Sequence, residues 1–390
     1  MPNLLQKASI VLTPTAYNDG EVLCAKPDDG SGDFDFSRNS AATRVNAQGL
    51  VENVQILSGN LVQNPSFSEE GVQEVSNGSF SQEGSELITN GDFSNGSTGW
   101  QNTFGGEWVI SGGKATLQTG ADGTYLSAVG NILTTGKSYK AVITTSGGLD
   151  ANNKVTIYAN SNTGKSIEAD GTHTLYFTAN GTVFRFSGVA NDNPISIESV
   201  SVREVGQDWV LGGSGLNTPT IGSNSATITS VDSNSYIQQN SVLTSGKSYK
   251  ISYEILSSSG SSVLKMISSL GLATIPTTVG THTVYGTATT TTFYIERAVI
   301  GMNATITNIS VKEVGMDWTL GTGWSIGENK AISDATQGYI TQTDVSGAGV
   351  TATYKVQWTQ NITTGTRLRF FARNYNDSGN ATTLSITRDD

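Results

Sequence analysis

A single cysteine, Cys24, stands in the 390 residues, so no internal disulfide framework exists and the lone thiol reads as a packing residue. Histidine is nearly as scarce, with only His173 and His282. Both sit in Gly-Thr-His-Thr, and no base or nucleophile partner recurs beside them, which points to scaffold rather than catalysis. Basic residues number 22 and the net charge is −11, so no basic stripe could neutralise a phosphate backbone, and no nucleic-acid partner is expected. No run approaches the ~18 apolar residues of a membrane span. The start, Met1 to Tyr17, is broken by Lys7 and lacks a small-residue cleavage site, so neither export nor membrane insertion is expected. Sustained 3.6-residue apolar periodicity is also missing, which excludes a helical core.

What remains is glycine, 45 residues of it, and short alternating apolar runs such as Ser138-Tyr139-Lys140-Ala141-Val142-Ile143 and Lys154-Val155-Thr156-Ile157-Tyr158. Glycine, asparagine and aspartate clusters bound these runs, as they bound strands. The fold class expected is all-β, with tandem β-sandwich (jelly-roll) modules behind a small N-terminal β-hairpin attachment segment.

The chain repeats itself. Gly136-Lys137-Ser138-Tyr139-Lys140 returns as Gly246-Lys247-Ser248-Tyr249-Lys250, and Ser201-Val202-Arg203-Glu204-Val205-Gly206 as Ser310-Val311-Lys312-Glu313-Val314-Gly315. An offset near 110 residues is the size of a whole small domain, so the expectation is of separate beads rather than a stacked superhelix.

Five segments follow: 1–60, outside the repeat; 61–85, acidic; 86–205 and 206–314, two full modules; and 315–390, a module that stops early. In the first segment, Asn46 to Gly49 supplies a turn between two strands. A shorter rhythm runs through Asn64-Pro65-Ser66-Phe67-Ser68, Asn77-Gly78-Ser79-Phe80-Ser81 and Asn90-Gly91-Asp92-Phe93-Ser94, spaced by 13. Six carboxylates and no Lys or Arg lie between Asn64 and Ser94. Two readings of 61–85 stand open: a flexible acidic linker, or a stem whose short strands are buried only when chains associate.

Glu86-Leu87-Ile88-Thr89-Asn90-Gly91-Asp92-Phe93-Ser94, Gly99-Trp100, Gly112-Gly113-Lys114-Ala115, Thr135-Gly136-Lys137-Ser138-Tyr139 and the closing Ile197-Glu198-Ser199-Val200-Ser201-Val202 together resemble carbohydrate-binding modules of the family 4, 9 and 22 type. The likeness covers 86–205 well, 206–314 less well because the Asn-Gly-Asp-Phe opening is absent there, and 315–390 only in its first half. Phe34-Asp35-Phe36-Ser37-Arg38-Asn39-Ser40-Ala41-Ala42-Thr43-Arg44-Val45-Asn46 with Gly49-Leu50-Val51-Glu52 resembles a leader of tailed-phage virion proteins, especially fibres. That resemblance makes Phe34, Phe36, Arg38 and Arg44 candidates for virion attachment. It implies virion localisation after assembly in the host cytoplasm, with capsid, portal or tail proteins as partners and a homo-oligomer, a trimer, as the arrangement. Relatives of the modules often carry a structural calcium. Asp92 and Glu198 occupy comparable places; otherwise no cofactor is expected.

Three Gly-Lys-Ser triplets do not make phosphate loops, because Asn131, Ala159 and Ser241 stand where the first Gly is required and no helix follows. A glycosidase carboxylate pair needs a cleft that sandwiches of this size offer poorly. No catalytic residue is assigned, and the protein is read as a non-enzyme. Tryptophan and tyrosine give sugars a flat apolar face, and Trp108, Tyr125 and Trp324, in the variable early parts of their modules, are the glycan-binding candidates. Trp209 and Trp318 follow the closing strands in matching frames, which suggests packing at module junctions. The function implied is a phage fibre that docks by its N-terminus and presents modules to cell-surface glycans. The alternatives are a purely structural decoration protein and the accessory binding region of a glycan-degrading enzyme.

Overall fold

The computed structural model describes residues 60–342 except 104, 106, 160–163, 260–262, 335 and 337, together with 358–361 and the backbone of short strands within 11–54 and 367–387. Contacts divide the chain into two units, Met1–Pro65 with Gln342–Asp390, and Ser66–Thr341.

In the first unit β1 (Val11–Leu12) pairs with β3 (Cys24–Lys26), and β2 (Glu21–Val22) with β4 (Phe34–Asp35). The expected hairpin is formed by β5 (Ala42–Val45) and β6 (Val51–Val54), with Arg44 opposite Glu52. Arg367–Ala372 pairs with Thr382–Thr387. Gln63 and Gln342 join the two stretches of this unit, the Gln63 amide donating to Gln342 Oε1 at 3.1 Å and Gln342 Nε2 to the Gln63 carbonyl.

The second unit opens with β7 (Glu70–Gln73) and holds two sandwiches of one topology. The first is built from β8 (Trp100–Thr103), β9 (Trp108–Ser111), β10 (Lys114–Leu117), β11 (Ala121–Ala128), β12 (Ser138–Ser146), β13 (Asn153–Tyr158), β14 (Lys165–Ile167), β15 (Gly171–Thr178), β16 (Arg185–Ala190) and β17 (Ile195–Val205). Its sheets run β15-β12-β17-β10-β9 and β14-β13-β16-β11-β8. The second is built from β18 (Val210–Gly213), β19 (Thr220–Gly222), β20 (Ser225–Ser230), β21 (Ser235–Gln239), β22 (Ser248–Ser259), β23 (Leu264–Met266), β24 (Leu272–Ile275), β25 (Gly280–Thr287), β26 (Phe293–Arg297) and β27 (Met302–Val314). Its sheets run β25-β22-β27-β20-β19 and β24-β23-β26-β21-β18, the same order strand for strand.

Strict alternation makes each sheet two-faced. β13 and β16 bury every second residue, so Val155, Ile157, Phe186 and Ala190 enter the core between the sheets while their neighbours face out. The recurrent Gly-Lys-Ser-Tyr-Lys motif is a turn entering a strand. Gly136 and Gly246 take φ of 84° and 86°, a region that suits glycine. The buried Tyr139 and Tyr249 hydroxyls accept the amides of Thr134 at 2.7 Å and Thr244 at 2.9 Å.

The stretch from 70 to 82 is neither a flexible linker nor a stem buried only when chains associate. It is an edge strand and plug for the second sandwich. β7 pairs with the C-terminal half of β27, Gln73 opposite Lys312, beyond the reach of β20 on the same side. Val75 and Phe80 are 3 % and 1 % exposed within the core of that sandwich. The missing opening of the second module is thus supplied by residues 77–81, about as far upstream as a whole module is long. Residues 83–95 serve the first sandwich in the same way: Glu83 bridges Val205, the Leu87 amide donates to the Val202 carbonyl, and Phe93 is 1 % exposed.

The two plugs share their chemistry. Phe80 lies 5.1 Å from Trp209 and Phe93 5.1 Å from Trp100, centroid to centroid, both tilted at 35°. Trp209 Nε1 donates to the Asn77 carbonyl and Trp100 Nε1 to the Asn90 carbonyl, each at 3.0 Å. A third pair, Phe67 with Trp318, has the same 5.1 Å spacing at 39°. Trp209 is therefore a plug receptor inside its own module rather than a junction residue, and Trp318 keeps the same partner type. In all three copies the Asn and the Phe adopt positive φ, between 42° and 56°, a costly conformation for phenylalanine that buried ring packing offsets in the two interior copies. Gly78 and Gly91 are required for close approach. A Cβ on either would stand 1.9 Å from the Ile309 carbonyl oxygen or 2.0 Å from that of Val200.

Charge completes each match. Glu70 meets Lys250 at 2.5 Å and Lys312 at 3.0 Å, and Glu83 meets Lys140 at 2.6 Å. The final Lys of the repeated motif thus grips the acidic segment. The modules also pack end to end, contrary to the expectation of beads. Ile221 of β19 fills the space over Gly206, and Gly222 lies against Tyr176 of the preceding sandwich. In β29 (Trp324–Gly327), Ile326 fills the space over Gly315 and Gly327 lies against Tyr285 in the same way. β29 pairs with β30 (Lys330–Ser333), and β28 (Thr319–Leu320) with β31 (Ile340–Thr341).

Candidate functional site

The outward side of the sheet β14-β13-β16-β11-β8 carries a half-buried cluster of aromatic, hydroxyl and guanidinium groups in the first module. The register sets Tyr125 opposite Ser187 and Ser187 opposite Thr156, and sets Arg185 between Ser127 and Tyr158. Because side chains alternate, these residues share one side of the sheet, opposite Phe186 and Ile157. Tyr125 and Tyr158 meet edge to face at 6.0 Å. The Arg185 guanidinium lies 4.5 Å from the Tyr125 ring centroid and 5.8 Å from that of Tyr158, within cation–π range of both. Hydroxyl pairs flank the cluster, Thr156 with Ser166 at 3.0 Å and Thr103 with Ser127 at 2.9 Å.

The second module keeps the position and changes the residues. Tyr236, opposite Glu296, takes the place of Tyr125, and Tyr294, opposite Gln238, takes that of Arg185. The two rings lie 5.7 Å apart at 61°. Gly212 on the neighbouring β18 has no Cβ, and one built there would fall inside the Tyr236 ring, so the ring lies flat on the sheet edge. Glu296 accepts from Ser268 Oγ at 2.6 Å. Half-buried aromatic rings with hydroxyl, amide and guanidinium groups around them can stack on apolar sugar faces and hydrogen-bond to ring substituents. The first module also carries a small depression lined by Ile157, Ala159, Lys165, Phe177 and Thr178.

Of the aromatic candidates read from sequence, only Tyr125 falls on this face. Trp108 is 2 % exposed and packs in the core over Gly188, so its ring is closed to ligands. Trp324 is half-buried beside Gly338. Sequence reading missed Tyr158, Arg185, Tyr236 and Tyr294. Their signal was the alternation itself, since an aromatic at an outward position of a strand has no core to enter. Of the attachment candidates, Phe34 lies in β4 and Arg44 in β5, while Phe36 and Arg38 lie outside the described residues.

Asp92 and Glu198 are both exposed. The Asp92 carboxylate accepts the Ser94 amide at 3.2 Å and the Ser94 hydroxyl at 2.9 Å, which holds its pKa below the usual carboxylate range. Glu198 is the extra residue where the β12–β17 register slips between Ser199 and Ile197. Calcium takes roughly six to eight oxygen ligands, and among the described residues no cluster of three or more His, Cys, Asp or Glu gathers at one place. His173 and His282 hold matching loops, each ring Nε2 bonding a carbonyl four residues before it, Ala169 at 2.8 Å and Thr278 at 2.6 Å.

No protein-family description matches the chain, and no curated protein does. Among solved structures, the N-terminal CBM22-1–CBM22-2 tandem of Paenibacillus barcinonensis Xyn10C is similar over 60 % of this chain and 99 % of its own, at 11 % identity and a TM-score of 0.23. The triple jelly roll of an archaeal virus turret assembly is similar over 53 % of this chain and 57 % of its own, at 16 % identity and a TM-score of 0.20. Sulfolobus Turreted Icosahedral Virus follows over 57 % and 62 %, at 13 % and 0.19. The chain thus spans less than two thirds of either viral chain. Likenesses of this size concern fold alone. The chain is an all-β protein of tandem jelly-roll sandwiches.

Proposed function

We propose that this is a non-enzymatic virion protein of the fibre type, docked to other virion proteins by its N-terminal segment and presenting its sandwich faces to cell-surface glycans as a homotrimer. The observation that carries the reading is the tyrosine cluster at one equivalent position of both modules, Tyr125 with Tyr158 and Arg185, and Tyr236 with Tyr294. A core has no use for outward aromatics, and a repeated outward cluster suits a repeated contact. The likeness of residues 34–52 to phage leaders supports the docking part. Weak sites on several modules and chains would gain strength through avidity.

The test is binding of the full chain to host cells and to a polysaccharide array, beside the double variant Tyr125→Ala, Tyr236→Ala. Retention of the wild-type chain and its loss in the variant is the expected result. If the wild-type chain binds nothing, the glycan reading fails. A second reading, a spacer or decoration protein without a ligand, would then stand; the continuous packing from module to module favours it.

A further inference from the structure

We infer that the module array is mounted in reverse: held by its N-terminus, the chain presents the first sandwich, residues 86–205, as the outermost tip and the third as the innermost. This rests on the docking part of the reading above and is independent of any glycan.

The inference comes from the path of residues 66–95. Their three aromatic plugs are used in the order opposite to the modules they close: Phe67 sits on Trp318, Phe80 on Trp209 and Phe93 on Trp100. The receiving tryptophans are spaced by 109 residues along the chain and the plugs by 13. Since Glu70 to Gln82 serves the second sandwich and Glu83 to Asn95 the first without an intervening residue, the segment is one strap laid antiparallel to the module order. The modules themselves are stacked in sequence, first on second through Tyr176 and Gly222, second on third through Tyr285 and Gly327. A strap that begins at the third module and ends at the first therefore runs the length of the stack. The chain comes into this unit at Ser66, next to Phe67, and leaves it at Thr341, on the strand paired with Thr319–Leu320. Both crossings belong to the third module. The first sandwich is farthest along the strap from either.

Reading the chain from its start would suggest a docking segment followed by modules one, two and three projecting outward. The strap reverses that order. A tether on residues 1–60 holds the stack at its third module. The face with Arg185, Tyr125 and Tyr158 is then the one carried at the far end, and the Tyr236–Tyr294 face lies between.

The test uses the full chain with Cys24→Ser and one new cysteine at an exposed site in each module, Ala151→Cys, Ser233→Cys or Lys330→Cys. Each variant is packed densely on a surface by an N-terminal tag and offered a thiol-reactive gold particle larger than a module; the same reaction in free solution supplies the reference. Labelling on the surface should be retained for Ala151→Cys, reduced for Ser233→Cys and lost for Lys330→Cys. Loss at the first site with retention at the third, or equal labelling at all three, overturns the reversed mounting. Because no sugar enters the experiment, this order can hold while the glycan reading fails, and the converse.

Discussion

The two complete sandwiches share strand order, core chemistry and plug geometry, yet one takes its plug from the residues next to it and the other from across an intervening module. Phe93 and Trp100 are seven residues apart in the chain, Phe80 and Trp209 more than a hundred, and both pairs settle at 5.1 Å and 35°. The comparison separates what a module needs from where the chain finds it. Each sandwich needs an aromatic wedge, an extended segment bonded to the end of its closing strand, and a carboxylate for the motif lysine. Buried area and hydrogen bonds are indifferent to sequence separation, and only loop-closure entropy, which grows slowly with length, distinguishes the two routes.

The largest effects should come from the wedges. Phe80→Ala is expected to cost about 3–5 kcal/mol, as buried Phe truncations do, and to lower hydrogen-exchange protection in 210–314 while sparing 100–205. Phe93→Ala should do the opposite. Loss of protection in the first sandwich on truncating Phe80 would break the comparison. Next come Gly78→Ala and Gly91→Ala, where the new Cβ meets a backbone oxygen that cannot move freely; overpacking of about 1–3 kcal/mol is expected, seen as a lower urea midpoint confined to the corresponding module.

Acid should sharpen the contrast further. Partial burial pushes Glu86 up, but hydrogen bonds from the Ser201 hydroxyl and the Val202 and Ile88 amides, with the Arg203 charge, outweigh it and leave its pKa lowered. A lowered carboxylate stabilises the folded form above its ordinary pKa of about 4.3, and that contribution is lost as pH falls through the lower folded value. Gln73 holds the equivalent place in the second module, accepting the Val311 amide at 3.0 Å without a titrating group. In that module the hydrogen bonds from Lys250 and Lys312 lower Glu70 instead. Glu86→Gln should therefore flatten the acid dependence of the first sandwich alone, and Glu70→Gln that of the second, both read by exchange across roughly pH 2 to 6. The smallest effect belongs to the exposed pairs: Lys140→Ala and Lys250→Ala should each cost no more than about 1 kcal/mol and less in high salt.

Much of this was legible beforehand. Alternation in β12 and β13 announced a sandwich, the doubled Gly-Lys-Ser-Tyr-Lys marked the same strand in two modules, and the Asn46–Gly49 turn marked the hairpin. The recurrence of Asn-x-x-Phe every 13 residues was visible too, but its charge and brevity suggested solvent. Six carboxylates look like a linker until Lys250 and Lys312 are placed opposite Glu70, and Lys140 opposite Glu83, by strands far away in the chain. Trp108 failed as a ligand candidate because a large ring early in a module can as readily fill the space over Gly188. Tyr158 and Arg185 passed unnoticed because their neighbourhood exists only once β13, β16 and β11 lie side by side.

From sequence alone came the module period, the strand faces, the turns and the threefold recurrence of Asn-x-x-Phe, since each depends on local conformational preference or side-chain period. Tertiary structure decided which plug closes which module and therefore which end of the array is which. The three copies are nearly alike and apolar burial has no direction, so the assignment could be made only by the path of the folded chain.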